Sequence, residues 1–283
     1  MKKAIATYTT VNRIMAEYQL FTKKNYGQNF IIEPSIVENI AEKSHLDQET
    51  AVIEVGPGIG ALTEQLAKRA GKVVAYEIDT RLIPVLKDTL EDYSNIEILF
   101  EDFLESNLEE KVIELQKEYK KVVLAANLPY YITTPILFKL FESDADIPVI
   151  TVMMQKEVAD RFSATVNTKE YNALSVIVQY LYQVEVIIKV SKNVFHPKPA
   201  VDSSVVQFIK IDRKLPVSNQ KEFFSFVKGA FKQRRKTILN NLKSYSNKPI
   251  EQVLNQAGIQ PNRRAESLSL EEFIQLFEVY YEM

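Results

Sequence analysis

Between Ala51 and Asn127 short apolar runs alternate with amphipathic stretches, and this alternation constrains the fold more than any other feature of the sequence. AVIEV is followed by ALTEQLAKRA, KVVAYEI by TRLIPVLKDTLEDY, and NIEILF by LEEKVIELQKEY, before KVVLAAN closes the series. Strands without polar alternation are those buried on both faces, so the pattern predicts repeated βα units: a Rossmann-like α/β fold with helices on both sides of a mostly parallel sheet. VITVMM, VEVIIKV and SSVVQFIKI add further strands, and helical segments fall around Gln155 to Arg161 and Asn172 to Tyr182. The last two strands can pair as an antiparallel edge. At RKLPVS, Arg213 to Ser218, the period is lost. From there to Met283 the pattern is helical: FFSFVKGAFKQRRKTILNNLK, PIEQVLNQAG and SLSLEEFIQLFEVYY, the last opening on Ser267 and Ser269 as candidate N-caps. The expected division is a catalytic domain over 1–213 and a small all-helical domain over 214–283.

The chain has 283 residues and no cysteine, which removes disulfide scaffolds, zinc-thiolate sites and thiol nucleophiles, and points to the reducing cytoplasm. Its first residues never reach the apolar run of a signal peptide, and no later stretch could span a bilayer, so a soluble protein is expected. A net charge of −2 argues against a nucleic-acid partner, yet Lys228, Lys232, Arg234, Arg235, Lys236 and Lys243 crowd one segment while acidic residues gather elsewhere. By composition alone such a run is a solvated face.

EVGPGIGALTEQLA sets Gly56, Gly58 and Gly60 between a strand and a helix, where missing side chains let a ligand approach the main chain. GPGIGA also satisfies the dinucleotide fingerprint, and Glu77 ends the next strand, where a carboxylate binds ribose hydroxyls. NAD and S-adenosylmethionine both fit this pattern. Asp102, after the third strand, falls at the same edge of the sheet and can accept a hydrogen bond from an adenine amine; an ordinary N-cap is its other reading.

Asn127-Leu128-Pro129-Tyr130 follows the fourth strand and opens onto the same crevice. An adenine amine is a poor nucleophile because its lone pair is delocalised into the ring. The Asn127 carboxamide oxygen and a main-chain carbonyl near Leu128 can each accept one of its N–H groups and turn the lone pair toward a methyl donor. Pro129 stiffens the turn and Tyr130 offers a face for a purine, although a plain strand-ending turn has the same composition. In VFHPKPAVDSSV, Phe195 can close the other face of the base or merely anchor its loop. His45 and His196 are the only histidines, and neither has the carboxylate or cysteine context of a triad or metal site.

Along nearly its whole length the chain closely resembles the KsgA family of ribosomal RNA adenine N6,N6-dimethyltransferases. The resemblance is carried by KKNYGQNFI, IEVGPGIGALTEQLA, YEID, EDF, NLPYYITTP, MMQKEVADRF, FHPKPAVDS and FKQRRKTILNNL. It implies a class I S-adenosylmethionine-dependent methyltransferase fold, with S-adenosylmethionine as cofactor and two adjacent adenines near the end of 16S rRNA in the small subunit as target. It assigns Asn29 and Ile31, the latter where the family usually has Leu, to cofactor binding. Gly56 goes to the cofactor's methionine end, Glu77 to its ribose, Asp102 to its adenine and Asn127 to the reactive centre. It also shifts Arg234, Arg235 and Lys236 from a solvated face to RNA phosphate contacts. Glu101 departs from the family pattern, and the chain is less basic than many relatives. A monomer without metal is expected, since methyl transfer from a sulfonium needs no activated water. Competing readings are a resistance-type 23S rRNA methyltransferase, whose motif has Ile where Leu128 stands, an NAD-dependent oxidoreductase, and a non-catalytic RNA-binding assembly factor.

Overall fold

The computed structural model describes residues 4–20, 29–211 and 217–283. The expected boundary at Arg213 and the Lys23 to Gln28 part of the N-terminal motif lie outside them. By packing, the chain divides into Met1–Ala159 with Glu185–Lys210, and Asp160–Val184 with Ile211–Met283. A single cut in the sequence does not produce these units, because Asp160–Val184 packs with the helices at the C-terminal end.

The first unit runs α1 (Tyr8–Glu17), β1 (Phe30–Ile31), α2 (Pro34–Lys43), β2 (Thr50–Val55), α3 (Ala61–Ala67), β3 (Lys72–Tyr76), α4 (Ile83–Thr89), β4 (Ile96–Leu99), α5 (Leu108–Leu115), β5 (Lys121–Asn127), α6 (Thr133–Glu142) and β6 (Val149–Gln155). Next come α7 (Lys156–Phe162) and α8 (Ala173–Leu181), then β7 (Tyr182–Val190), β8 (Phe195–His196) and β9 (Ser203–Lys210). The seven-stranded sheet has the order β4-β3-β2-β5-β6-β9-β7. Strands β4, β3, β2, β5 and β6 are mutually parallel, and β9 lies antiparallel to β6 with Gln155 opposite Ser203. Every residue of β2 is buried, which explains the unbroken apolar run. The mostly parallel Rossmann-like sheet with an antiparallel strand is thus observed, and the two late strands are neighbours at its edge. A small antiparallel pair is absent from the sequence expectation: β1 joins β8, with Phe30 opposite His196 and Ile31 opposite Phe195. Two residues are too short to display a strand period.

The second unit is built on α8, α9 (Gln220–Ala230), α10 (Ile238–Lys243), α11 (Ile250–Gln256) and α12 (Leu270–Glu282). Phe223, Phe226, Phe273 and Phe277 form the fully buried centre of its core. Ser269 caps α12 in a reciprocal arrangement with Glu272, whereas Ser267 falls in a preceding 3-10 turn. Among the described residues no helix is long and apolar enough to cross a membrane.

Arg234, Arg235 and Lys236 are not on a helix, contrary to the expected continuous basic helix, but in the turn between α9 and α10. The cause is Asn241, 2% exposed, whose side-chain amide donates to the carbonyls of Ala230 at 2.7 Å and Gln233 at 3.1 Å and accepts from the Gln233 N–H at 3.2 Å. These bonds replace helical ones and end α9. Replacing Asn241 with Ala strands the buried Ala230 carbonyl and takes from Gln233 the acceptor of its N–H. The variant should unfold in urea with a stability lower by about 1–3 kcal/mol, and an unchanged midpoint would mean the turn is held otherwise.

Candidate functional site

Because β2, β3 and β5 are parallel and adjacent, the loops after them emerge at one edge of the sheet. Together with the loop after β4 they enclose a cavity lined by Asn29, Ile31, Gly56, Gly58, Glu77, Asp102, Asn127, Leu128, Pro129 and Tyr130, among others. Ten residues singled out in the sequence are therefore brought to one wall.

The turn after β2 depends on glycine for its backbone conformation. Gly56 has φ +74° and Gly58 φ +58°, in the left-handed region. A Cβ on Gly56 would touch the Pro129 ring at 3.4 Å, so a side chain here would fill the space between the glycine turn and the Asn-Leu-Pro-Tyr turn. The Gly58 N–H donates to Glu77 Oε2 at 3.3 Å, and the Asp79 N–H to Glu77 Oε1 at 2.8 Å, fixing the carboxylate under the turn. Burial raises the Glu77 carboxyl above its ordinary value, opposed by these main-chain donors. Asp102 accepts the Leu104 N–H at 2.8 Å, which orients its carboxylate as the loop after β4 turns back.

Asn127 is the last residue of β5, opposite Met153, and among the described residues its carboxamide is engaged by no side chain or main-chain group. The Leu128 N–H donates to Met153 O at 3.1 Å, and the Pro129 carbonyl accepts from Ile132 N–H at 3.2 Å and the Thr133 hydroxyl at 2.9 Å. The turn is thus pinned by main-chain bonds directly after Asn127. The Tyr130 hydroxyl shares a hydrogen bond of 2.7 Å with Ser203 Oγ, a residue at the start of β9 that is 1% exposed. Burial pushes the Tyr130 phenol up, eased by that bond.

Two groups of expected residues lie elsewhere. Phe195 is not on the cavity wall; it is 3% exposed, held in the β1–β8 pair and packed in the core cluster of the first unit. A Phe inside a strand pair next to apolar neighbours gains more from burial than from an open face. Arg234, Arg235 and Lys236 belong to the second unit, where Arg234 donates to the Lys169 carbonyl at 2.7 Å and lies 3.6 Å from Glu266, while Arg235 and Lys236 are exposed. His45 is exposed and His196 packs edge-on against Tyr8, neither on the cavity wall.

Sequence reasoning missed Glu54 and Ser203. Glu54 is visible in the sequence as a charge within an otherwise apolar buried strand. It lines the cavity at 1% exposure, and burial pushes its carboxyl up to about 8. The described lining carries Glu54, Glu77, Asp79, Glu101 and Asp102 and no Lys, Arg or His; Asp79 is paired with Arg81. Such a wall suits a cationic ligand, and Glu54 Oε2, a buried oxygen without a partner, awaits a donor. S-adenosylmethionine, with a sulfonium and an ammonium, fits this donor set; a pyrophosphate does not.

The Tyr130–Ser203 bond also yields a prediction. Tyr130→Phe and Ser203→Ala should each cost about 0.5–1.5 kcal/mol in urea unfolding, and the double variant should fall short of their sum. Strict additivity would show that the bond does not hold the tyrosine.

Comparison with known proteins agrees with this geometry. The sequence profile of the family described as ribosomal RNA adenine dimethylase matches residues 20–282. A protein of Anoxybacillus flavithermus named ribosomal RNA small subunit methyltransferase A is 46% identical over 100% of this chain and 99% of its own. Its namesake from Staphylococcus aureus strain Newman is 47% identical over 98% of this chain and 95% of its own. Among solved structures, a dimethyladenosine transferase from Plasmodium falciparum superposes with a TM-score of 0.75 at 25% identity, over 89% of this chain and 97% of that one. The 23S rRNA methyltransferase ErmE superposes with a TM-score of 0.69 at 28% identity, over 89% and 99%. Profile and full-length identity together show that the chain belongs to the ribosomal RNA adenine dimethylase family.

Proposed function

We propose that this protein transfers methyl groups from S-adenosylmethionine to N6 of two adjacent adenines near the 3′ end of 16S rRNA, in the small ribosomal subunit or its precursor. The observation that carries the reading is the open Asn127 carboxamide at the end of β5, on a turn that lines the same cavity as the glycine turn. Bound S-adenosylmethionine supplies a methyl group on a sulfonium, whose charge is cancelled on transfer. Gly56 and Gly58 receive its methionine end, Glu77 its ribose hydroxyls and Asp102 its adenine amine, with Asn29 and Ile31 completing the wall. The five carboxyl residues of the lining favour this ligand over an NAD-type dinucleotide, which would set two phosphates against them.

Asn127 accepts one N–H of the target amine through its carboxamide oxygen, and a main-chain carbonyl near Leu128 accepts the other, so the nitrogen presents its lone pair to the methyl group. Pro129 holds the turn, and Tyr130, anchored by Ser203, presents its ring to the base, a contact worth about 1–3 kcal/mol. The amine becomes acidic once methylated and sheds its proton to water, so a strong base has no task. Small-subunit rRNA is favoured over 23S rRNA by the two relatives at 46% and 47% identity, against 28% for ErmE. Arg235 and Lys236, exposed on the α9–α10 turn with Arg234 beside them, contact RNA phosphates. The protein acts as a monomer in the cytoplasm, where its substrate is assembled.

Asn127→Ala should abolish tritium transfer to unmethylated small subunits while S-adenosylmethionine affinity stays within about tenfold, or ~1.4 kcal/mol. Undiminished turnover, or label confined to large subunits, overturns the reading. Arg235→Ala with Lys236→Ala should weaken RNA binding and flatten the dependence of log affinity on log salt by about 0.7–0.9 for each phosphate no longer neutralised. An unaltered slope, measured by filter binding from low to physiological salt, would return these residues to solvent.

A further inference from the structure

Lys139 has no task in the mechanism above, yet it joins the two turns on which that mechanism depends. It lies on α6, the helix that follows the Asn-Leu-Pro-Tyr turn and fixes it through the Thr133 hydroxyl, which donates to the Pro129 carbonyl. Further along the same helix the Lys139 ammonium donates to the main-chain carbonyls of Leu104 at 2.8 Å and Ser106 at 2.5 Å. Both acceptors belong to the loop after β4 that carries Asp102. Leu104 is also the residue whose N–H orients the Asp102 carboxylate, so its main chain is held on both sides, the N–H by Asp102 and the carbonyl by Lys139.

The ammonium lies 5.4 Å from the centre of the Phe103 ring, within the range of a cation–π contact. That ring is 3% exposed and meets Tyr76 edge-on at 5.3 Å, and Tyr76 ends β3 directly before Glu77. Bonds inside the loop are local: the Glu105 N–H donates to the Asp102 carbonyl at 3.0 Å, and the Ser106 N–H and hydroxyl donate to the Phe103 carbonyl at 3.3 and 2.7 Å. Local bonds set the shape of a loop but not its place on the sheet. A charged donor reaching two carbonyls from a neighbouring helix sets that place, because such bonds are about twice as strong as neutral ones. The carboxylate near Lys139 is Glu109, and it is served otherwise: the Ser143 hydroxyl, donating at 2.7 Å, is the chief cause that holds the Glu109 carboxyl below its ordinary value, with Lys139 a lesser one.

We infer that Lys139 is a positioning residue, which grips the main chain at Leu104 and Ser106 and so aims the Asp102 carboxylate at the exocyclic amine of the cofactor's adenine. Lys139 is not on the cavity wall and acts only through the loop. The inference rests on the S-adenosylmethionine reading and on the place of Asp102 within it.

S-adenosylhomocysteine carries the adenine amine, whereas S-inosylhomocysteine has a carbonyl oxygen there, which a carboxylate repels. The ratio of their affinities, from calorimetric titration of the full-length protein, therefore reads how well Asp102 is aimed. Lys139→Met keeps the stem and removes the donor. It should weaken S-adenosylhomocysteine by about tenfold and S-inosylhomocysteine by less than about twofold, so that the ratio falls. In Asp102→Ala the ratio is already lost, and adding Lys139→Met should lower it no further. With S-adenosylmethionine and unmethylated small subunits, Lys139→Met should raise the cofactor KM and leave kcat within about twofold, as expected when binding is lost equally in ground and transition states. Lys139→Leu, a strong helix former also without a donor, should behave alike and serves if the methionine variant does not fold. An unchanged ratio, equal weakening of both ligands, or a lower kcat at unchanged KM would show that Lys139 merely supports α6 and would overturn the inference. Loss of folding in both variants would do the same. A native ratio in Asp102→Ala removes Asp102 from the adenine and takes the inference with it, while failure of the native protein to bind S-adenosylhomocysteine at all overturns the cofactor reading itself.

Discussion

Val55 pairs with Tyr76 and Ile53 with Leu124 in parallel register, so β2, β3 and β5 run out at a common edge with their loops side by side. Parallel pairing is possible only because both faces of these strands are covered, and it is this burial that compels the long apolar runs. Everything at the site depends on that edge. The glycine turn rises from β2, Glu77 from the end of β3 and Asn127 from the end of β5, each held by main-chain bonds before any ligand arrives. A slip of one residue between β2 and β3 would reverse which side chains point into the cavity and separate Gly58 from Glu77.

Electrostatics divides the molecule in a way its small net charge conceals. The cavity of the first unit is lined with carboxyl groups, three of them buried: main-chain donors hold Glu77, Arg81 pairs with Asp79, and burial raises the Glu54 carboxyl. The second unit carries the exposed basic turn at Arg235 and Lys236. A near-neutral sum of −2 is therefore compatible with two ligands of opposite charge, each met by its own surface.

Most of this is legible in the residues. The βα alternation, the glycine turn, Glu77, Asp102 and Asn127 point to one crevice because each is tied to the end of a strand, and strand ends are marked by changes in hydrophobic pattern. What escapes the sequence depends on contacts between distant segments. Ser203 gains its role from Tyr130, far away in the chain, and no local pattern announces it. Phe195 allows two readings in its proline-rich loop, a face for the base or an apolar anchor, and only its pairing with Ile31, distant in the chain, buries it. The basic stretch reads as one helix since its composition favours one; a single buried amide, Asn241, competes for the main-chain groups and breaks it.

The packing of Asp160–Val184 with the segment after Ile211 has a consequence for how the protein is made. During synthesis β9 leaves the ribosome before α9 to α12, so the sheet can be completed while α8 still waits with Val176, Ile177 and Tyr180 uncovered. Those three side chains are hidden only when the last helices of the chain arrive. The tail is for the same reason not a portable module: moving it alone to another protein would carry away one part of a shared interior and leave the other part behind.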